Sequence, residues 1–214
     1  MVTTLYLIRH GETEGAEKRR YKGSIDVPLS ANGIRQIEMV SRFLSAEVKR
    51  CRIEGDQSSA LSSVYCSDLV RAIKSAEVIA APHSLKPVVV PALRERNFGI
   101  WEGMSFDEIM EKYPDEFDAW AANPLKFSPM EGESTLEMRE RVTKALDEIV
   151  ASHIGEHIAV VSHGGTNRII LCNVLGIPLE NIFRIEQDYA ALNIIEFWDK
   201  YPLVKRINET FFES

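Results

Sequence analysis

Leu5-Tyr6-Leu7-Ile8-Arg9-His10-Gly11-Glu12-Thr13 passes from four apolar residues straight into a charged turn that contains glycine. A short apolar run bounded by glycine reads as a buried strand, so His10 stands at its carboxyl end. The pattern recurs late in the chain, where His157-Ile158-Ala159-Val160-Val161 continues through Ser162 into His163-Gly164-Gly165-Thr166 and a helix around Ile169 to Leu175. Ser63 to Cys66 is a further predicted strand. After it, Asp68 is expected to start a helix with Leu69, Ala72, Ile73, Ala76 and Ala80 on one face and Arg71 in its first turn. Between these units Ser30 caps a helix whose apolar positions Ile37, Val40, Leu44 and Val48 recur at helical spacing, closed by Gly55 to Ser59. Pro87 to Val90, Leu192 to Trp198 and Leu203 to Ile207 read as three more strands. The alternation predicts a three-layer α/β fold, a largely parallel sheet with helices on both faces.

One stretch breaks the alternation. From Gly99 to about Ser134 short helical pieces are interrupted by Pro114, Pro124 and Pro129, and Ser105 with Glu108 forms a capping-box pattern. This is the expected helical lid insertion. A second capping box, Ser134 with Glu137, opens the helix that leads back to the sheet. With 214 residues and 45% hydrophobic content, the chain suits one domain over residues 1–214. The formal net charge of −7 argues against nucleic-acid and membrane partners, which attract clustered Lys and Arg. Cys51, Cys66 and Cys172 lack metal-type spacing, and the chain opens directly into its apolar run without a leader pattern, so a reduced cytoplasmic protein is expected. Apolar runs fall short of the roughly 20 residues that span a bilayer.

In open α/β sheets the carboxyl ends of the strands face the ligand crevice, so both glycine-flanked histidines can meet there beside helix N-termini. Arg9, Arg71, two imidazoles and free amides suit a phosphoryl group, whose peripheral oxygens take planar, charged donors. Structural readings stand beside these. A strand-end histidine is often only hydrogen-bonded, Arg71 could be a solvated helix residue, and Glu95 could simply pair with Arg94 or Arg96. The residues alone leave those alternatives open, while His83, His153 and His157 read as surface residues. Other chemistries fit less well. The loop Ser67 to Val70 between Cys66 and Arg71 has no glycine to curl amides around a phosphate, and Ser162 lies outside a G-x-S-x-G elbow. No acidic cluster accompanies the strand-end histidines, so neither metal nor cofactor is expected.

Leu7-Ile8-Arg9-His10-Gly11-Glu12-Thr13, followed by Gly23, Asp26, Pro28-Leu29-Ser30 and Gly33, resembles the signature of the histidine phosphatase superfamily, the phosphoglycerate mutase-like proteins. The likeness continues through Ser67 to Ala72, Leu93-Arg94-Glu95, Phe98-Gly99, Trp101-Glu102-Gly103, Gly132-Glu133-Ser134 and Val160 to Gly165. It implies His10 as nucleophile, Arg9, Arg71 and His163 as the phosphate pocket, Glu95 as proton donor to the leaving oxygen, and Gly164 as an amide donor. Phe98 to Gly103 resembles the phosphatase branch, including α-ribazole and broad-specificity phosphatases, so hydrolysis of a small phosphorylated metabolite is expected. A phosphoglycerate mutase is the alternative, and a non-catalytic phospho-ligand binding module is the alternative of another class. One departure stands out: relatives often carry asparagine six positions after the nucleophile, where this chain has Ala16. The basic stretch Glu17 to Gly23 follows, so Arg20 or Lys22 is expected to supply the lost phosphate contact, with Gly23 a further expected substrate-binding residue. A homodimer is a further possible assembly.

Overall fold

The computed structural model describes residues 1–18, 20–53 and 60–211, and the side chains of these other than 51–53. Arg19, the side chain of Cys51 and the Gly55 to Ser59 helix stop lie outside the described residues. The chain forms β1 (Thr3–Arg9), α1 (Ala31–Ile53), β2 (Leu61–Cys66), α2 (Val70–Ala80), β3 (Val88–Val89), α3 (Phe106–Lys112), α4 (Pro114–Ala122) and α5 (Thr135–Ala151). It ends with β4 (His157–Ser162), α6 (Gly164–Leu175), β5 (Leu192–Phe197) and β6 (Pro202–Glu209). The six strands make one sheet in the order β3-β2-β4-β1-β5-β6. The first four are mutually parallel and the last two run antiparallel to their neighbours.

Strand alternation divides the core into two layers. Leu5, Leu7, Ile158 and Val160 point to one face, where they pack with Met138, Val142 and Leu146 of α5 and Ile170 of α6. Tyr6, Ile8, Ala159 and Val161 point to the other, against Ile37, Val40 and Leu44 of α1 and Ala72, Ala76 and Ile79 of α2. The period of two in the strands and 3.6 in the helices thus meet in two sandwiched layers. His157 departs from its expected surface position: it is buried, with Tyr6 Oη 3.1 Å from its Nδ1. His83 and His153 are half-buried, and His153 bridges Tyr65 and Glu156.

Register positions the functional ends. Arg9 lies opposite Ser162, and Ile8 and Cys66 both lie opposite Val161. The residues that follow, His10, Ser67 and His163, therefore leave the sheet side by side. Two backbones cross closely just beyond: a Cβ on Gly11 would stand 2.3 Å from the Gly33 carbonyl oxygen, and one on Gly33 would stand 2.0 Å from that of Glu12. Ser30 Oγ accepts from the Gly33 N–H and caps α1 as expected. The start of α2 differs. It opens at Val70, whose N–H donates to Asp26 Oδ1 at 2.7 Å, while Asp68 is drawn away into an ion pair with Arg94.

Candidate active site

The strand ends and the 99–134 segment enclose a cavity of about 270 Å3 whose lining includes Arg9, His10, Lys22, Gly23, Arg71 and Glu95. At its floor His10 is buried, and its Nδ1 lies 2.7 Å from the Gly11 carbonyl oxygen. A carbonyl only accepts, so the proton sits on Nδ1 and Nε2 keeps its lone pair. Burial and the neighbouring Arg9 and Arg71 guanidinium groups hold the His10 pKa well below the ordinary histidine range. The imidazole is therefore neutral. His163, at the N-terminus of α6, sits with its ring centroid 5.1 Å from that of His10. It is also neutral, through burial first and then the positive field of its neighbours. Ser67 Oγ lies 2.7 Å from its Nε2.

Each cation is aimed by carbonyl groups. Arg71, wholly buried in the first turn of α2, donates to the carbonyl oxygens of Ile25 and Gly23 at 2.7 and 2.6 Å. Gly23 has φ of +45°, and a Cβ there would strike the Glu102 carboxylate at 2.3 Å, so glycine is what lets this carbonyl reach Arg71. Arg9 donates to the Gln187 carbonyl at 2.6 Å and lies 3.9 Å over the Tyr189 ring. Arg9 Nε and His163 Nδ1 are buried with no hydrogen-bond partner among the described residues. Groups of that kind carry a desolvation cost until an anion or acceptor arrives.

Glu95 is held by its carboxylate and by its backbone. Its two oxygens accept the N–H groups of Arg96 at 2.9 Å and Gly165 at 3.0 Å. Arg141 donates to the carbonyl groups of Ala92, Arg94 and Glu95 and pairs with Glu133. Neither arginine beside Glu95 pairs with it: Arg94 goes to Asp68, and the Arg96 guanidinium goes to Glu133 O, Thr135 Oγ1 and Phe127 O. Gly164 packs under Arg9, where a Cβ would lie 3.4 Å from Arg9 Nε.

The two candidates of the basic stretch separate. Lys22 Nζ donates to Thr13 Oγ1 at 2.6 Å and to the Glu14 carbonyl at 2.7 Å. Its charge helps depress the His10 pKa. Arg20 instead forms a bidentate pair with Glu108 and donates to the Gly103 carbonyl, so it fastens the start of α3. Five residues to which the sequence assigned no role complete the surroundings. Ser67 orients His163; Tyr189 supports Arg9; and buried Gln187 is itself held by Asn167 and Asn193. Ser67 lay inside a recognised motif, whereas Gln187 and Tyr189 sit in a connection without periodic signal.

A family model of the histidine phosphatase superfamily (branch 1) matches residues 5–210. The chain belongs to this superfamily. Among similar histidine phosphatases, phosphoserine phosphatase 1 of Hydrogenobacter thermophilus is 31% identical over 206 residues, covering 96% of this chain and 92% of its own length. A metal-independent phosphoserine phosphatase of Arabidopsis thaliana is 34% identical over 176 residues, 81% of this chain and 69% of its own. The α-ribazole phosphatase structure from Shigella flexneri matches with a TM-score of 0.83 at 25% identity, covering 96% of each chain. This histidine phosphatase is accordingly a phosphatase of small phosphorylated metabolites with the phosphoglycerate mutase-like fold. A cysteine route has no support from its thiol, since burial pushes Cys66 up to about 12. Among the described residues no helix is long and apolar enough to cross a membrane.

Proposed function

We propose that this phosphatase hydrolyses phosphomonoesters in two steps through a phosphoryl group carried on His10 Nε2. The observation that carries the reading is the Nδ1 to Gly11 carbonyl hydrogen bond, which leaves the Nε2 lone pair for attack beside two arginines and a carboxylate. In the first step Nε2 attacks phosphorus in line, the P–N bond forms, and the ester P–O bond breaks. Glu95 must carry a proton for this step, and gives it to the departing oxygen. In the second step the Glu95 carboxylate takes a proton from water, the oxygen of that water attacks phosphorus, and the P–N bond breaks to return neutral His10 and inorganic phosphate.

Charge on the peripheral oxygens falls to Arg9, Arg71, His163 and the amide of Gly164, with positioning and electrostatics supplying most of phosphoryl-transfer catalysis. The buried and unpartnered Arg9 Nε and His163 Nδ1 support this assignment, because a phosphoryl oxygen would satisfy both. Lys22 takes the place of the asparagine that Ala16 lacks. Two of its three N–H groups are anchored on Thr13 and Glu14, and the third is left for the phosphate. Gly23 contributes through its carbonyl, by aiming Arg71, and Arg20 fastens the covering segment through Glu108 and Gly103.

The test is a rapid acid-free quench during turnover with radiolabelled p-nitrophenyl phosphate. An acid-labile, base-stable phosphoprotein is expected, absent in His10→Ala, with phosphate release unaffected by chelation and inhibited by vanadate. Full activity of His10→Ala would sink the mechanism.

A further inference from the structure

Away from the phosphate floor the cavity changes character. Its outer wall is built by α3 and α4, where Phe106, Phe117 and Trp120 contact one another at ring-centroid separations of 5.0 to 6.1 Å. Phe106 is 42% exposed, an apolar ring left facing water. The cations at this level already direct their N–H groups to protein acceptors. Arg20 is paired with Glu108, Arg96 is bound to three oxygens of the 127–135 stretch, and Arg168 is bound to the Ile185 carbonyl and Glu186. A leaving group that carried its own carboxylate and ammonium would lose hydration here and meet charges that are engaged elsewhere. A flat ring would instead cover aromatic faces and edges in the geometry such pairs favour.

From this contrast we infer that the physiological leaving group is an alcohol bearing a flat apolar body, of one or two rings, and that Phe106, Phe117 and Trp120 select it. The inference rests on the hydrolytic reading and narrows its substrate class. One cavity joins the two groups: His10, Arg9 and Arg71 line it together with Phe106, Phe117 and Trp120. An ester with phosphorus over His10 therefore projects its alcohol toward α3 and α4. The wall is also separable from the chemistry, because none of its rings is among the groups assigned to phosphoryl transfer.

Three esters of primary alcohols decide the matter, since comparable leaving oxygens remove differences in intrinsic reactivity. We expect kcat/KM for 2-phenylethyl phosphate to exceed that for propyl phosphate by about tenfold or more, and that for O-phosphoserine by a larger factor, as apolar pocket contacts typically discriminate. Phe106→Ala and Trp120→Ala should each shrink the phenylethyl-to-propyl ratio by about threefold or more. O-phosphoserine turned over as well as 2-phenylethyl phosphate, or an unchanged ratio in both variants, would overturn the inference while leaving hydrolysis intact. Absence of phosphate release from every ester, p-nitrophenyl phosphate included, would instead remove the hydrolytic reading beneath it.

Discussion

Lys22 is where this chain departs most from a simple transfer of family roles. Its ammonium is held by Thr13 and Glu14, and burial together with Arg71 lowers its pKa. A charge-assisted bond to the phosphoryl group is worth about 1.5 to 3 kcal/mol, so Lys22→Ala should lower kcat/KM for p-nitrophenyl phosphate by roughly ten- to a hundredfold. Lys18→Ala should match the parent, and Ala16→Asn should restore part of the loss in the Lys22 variant. Steady-state kinetics on the four proteins checks this, and an unimpaired Lys22→Ala would remove Lys22 from the pocket. Sequence alone could name Arg20 and Lys22 but not choose between them. The choice depends on Glu108, 88 positions from Arg20, and no local pattern reports where that carboxylate will lie. His10 and His163 were legible because each is punctuated by glycine after an apolar run. Tyr189 and Gln187 were not, because their value comes only from the guanidinium they support.

At the level of elements, the Glu95 loop is a piece of irregular chain made rigid by α5. Arg141 donates to the carbonyl groups of Ala92, Arg94 and Glu95 and is itself fixed by Glu133, so the proposed general acid is placed by a residue of α5. Arg141→Met should therefore act as a positioning defect. Loss of kcat is expected to be about tenfold or more on an alkyl phosphate, whose departing alkoxide needs a proton, and much smaller on p-nitrophenyl phosphate, whose phenolate leaves without one. Glu95→Gln should show the same asymmetry more strongly. Equal losses on both substrates would mean that Arg141 only stabilises the fold. Elements with strong periodicity were read well from sequence: Ile37, Val40, Leu44 and Val48 all lie in the core, and both capping boxes formed at Ser105 and Ser134. Boundaries fixed by tertiary partners were not. Asp26 reaches across to cap α2 in place of Asp68, and the strand expected over Pro87 to Val90 shrinks to two exposed edge residues.

Over the whole molecule, an acidic protein encloses a basic pocket, and the cost of that arrangement is carried by two histidines that the native state keeps neutral. In the unfolded chain both titrate near 6.5. As pH falls below that value the unfolded state takes up protons that native His10 and His163 refuse, so stability is full above about pH 6.5 and declines below it. Each histidine contributes a slope of about 1.4 kcal/mol per pH unit down to its native pKa. Urea midpoints between pH 7.5 and 5 should show this decline, and His163→Asn should remove about half of the histidine part; a slope identical to the parent would contradict the buried-neutral assignment. The crossing of Gly11 and Gly33 has a consequence of another kind. The Gly11 carbonyl decides which ring nitrogen of His10 holds the proton, and the first turn of α1 rests on that same stretch of backbone, through which β1 and α1 are keyed together. A methyl group added in Gly33→Ala cannot fit without separating them, so its effect should be readable far from any ligand, in the 15N shifts of one imidazole, as a proton displaced from Nδ1 toward Nε2. Position 33 is thus a mechanical control on an acid–base choice, exerted by the shape of the main chain with no side chain involved.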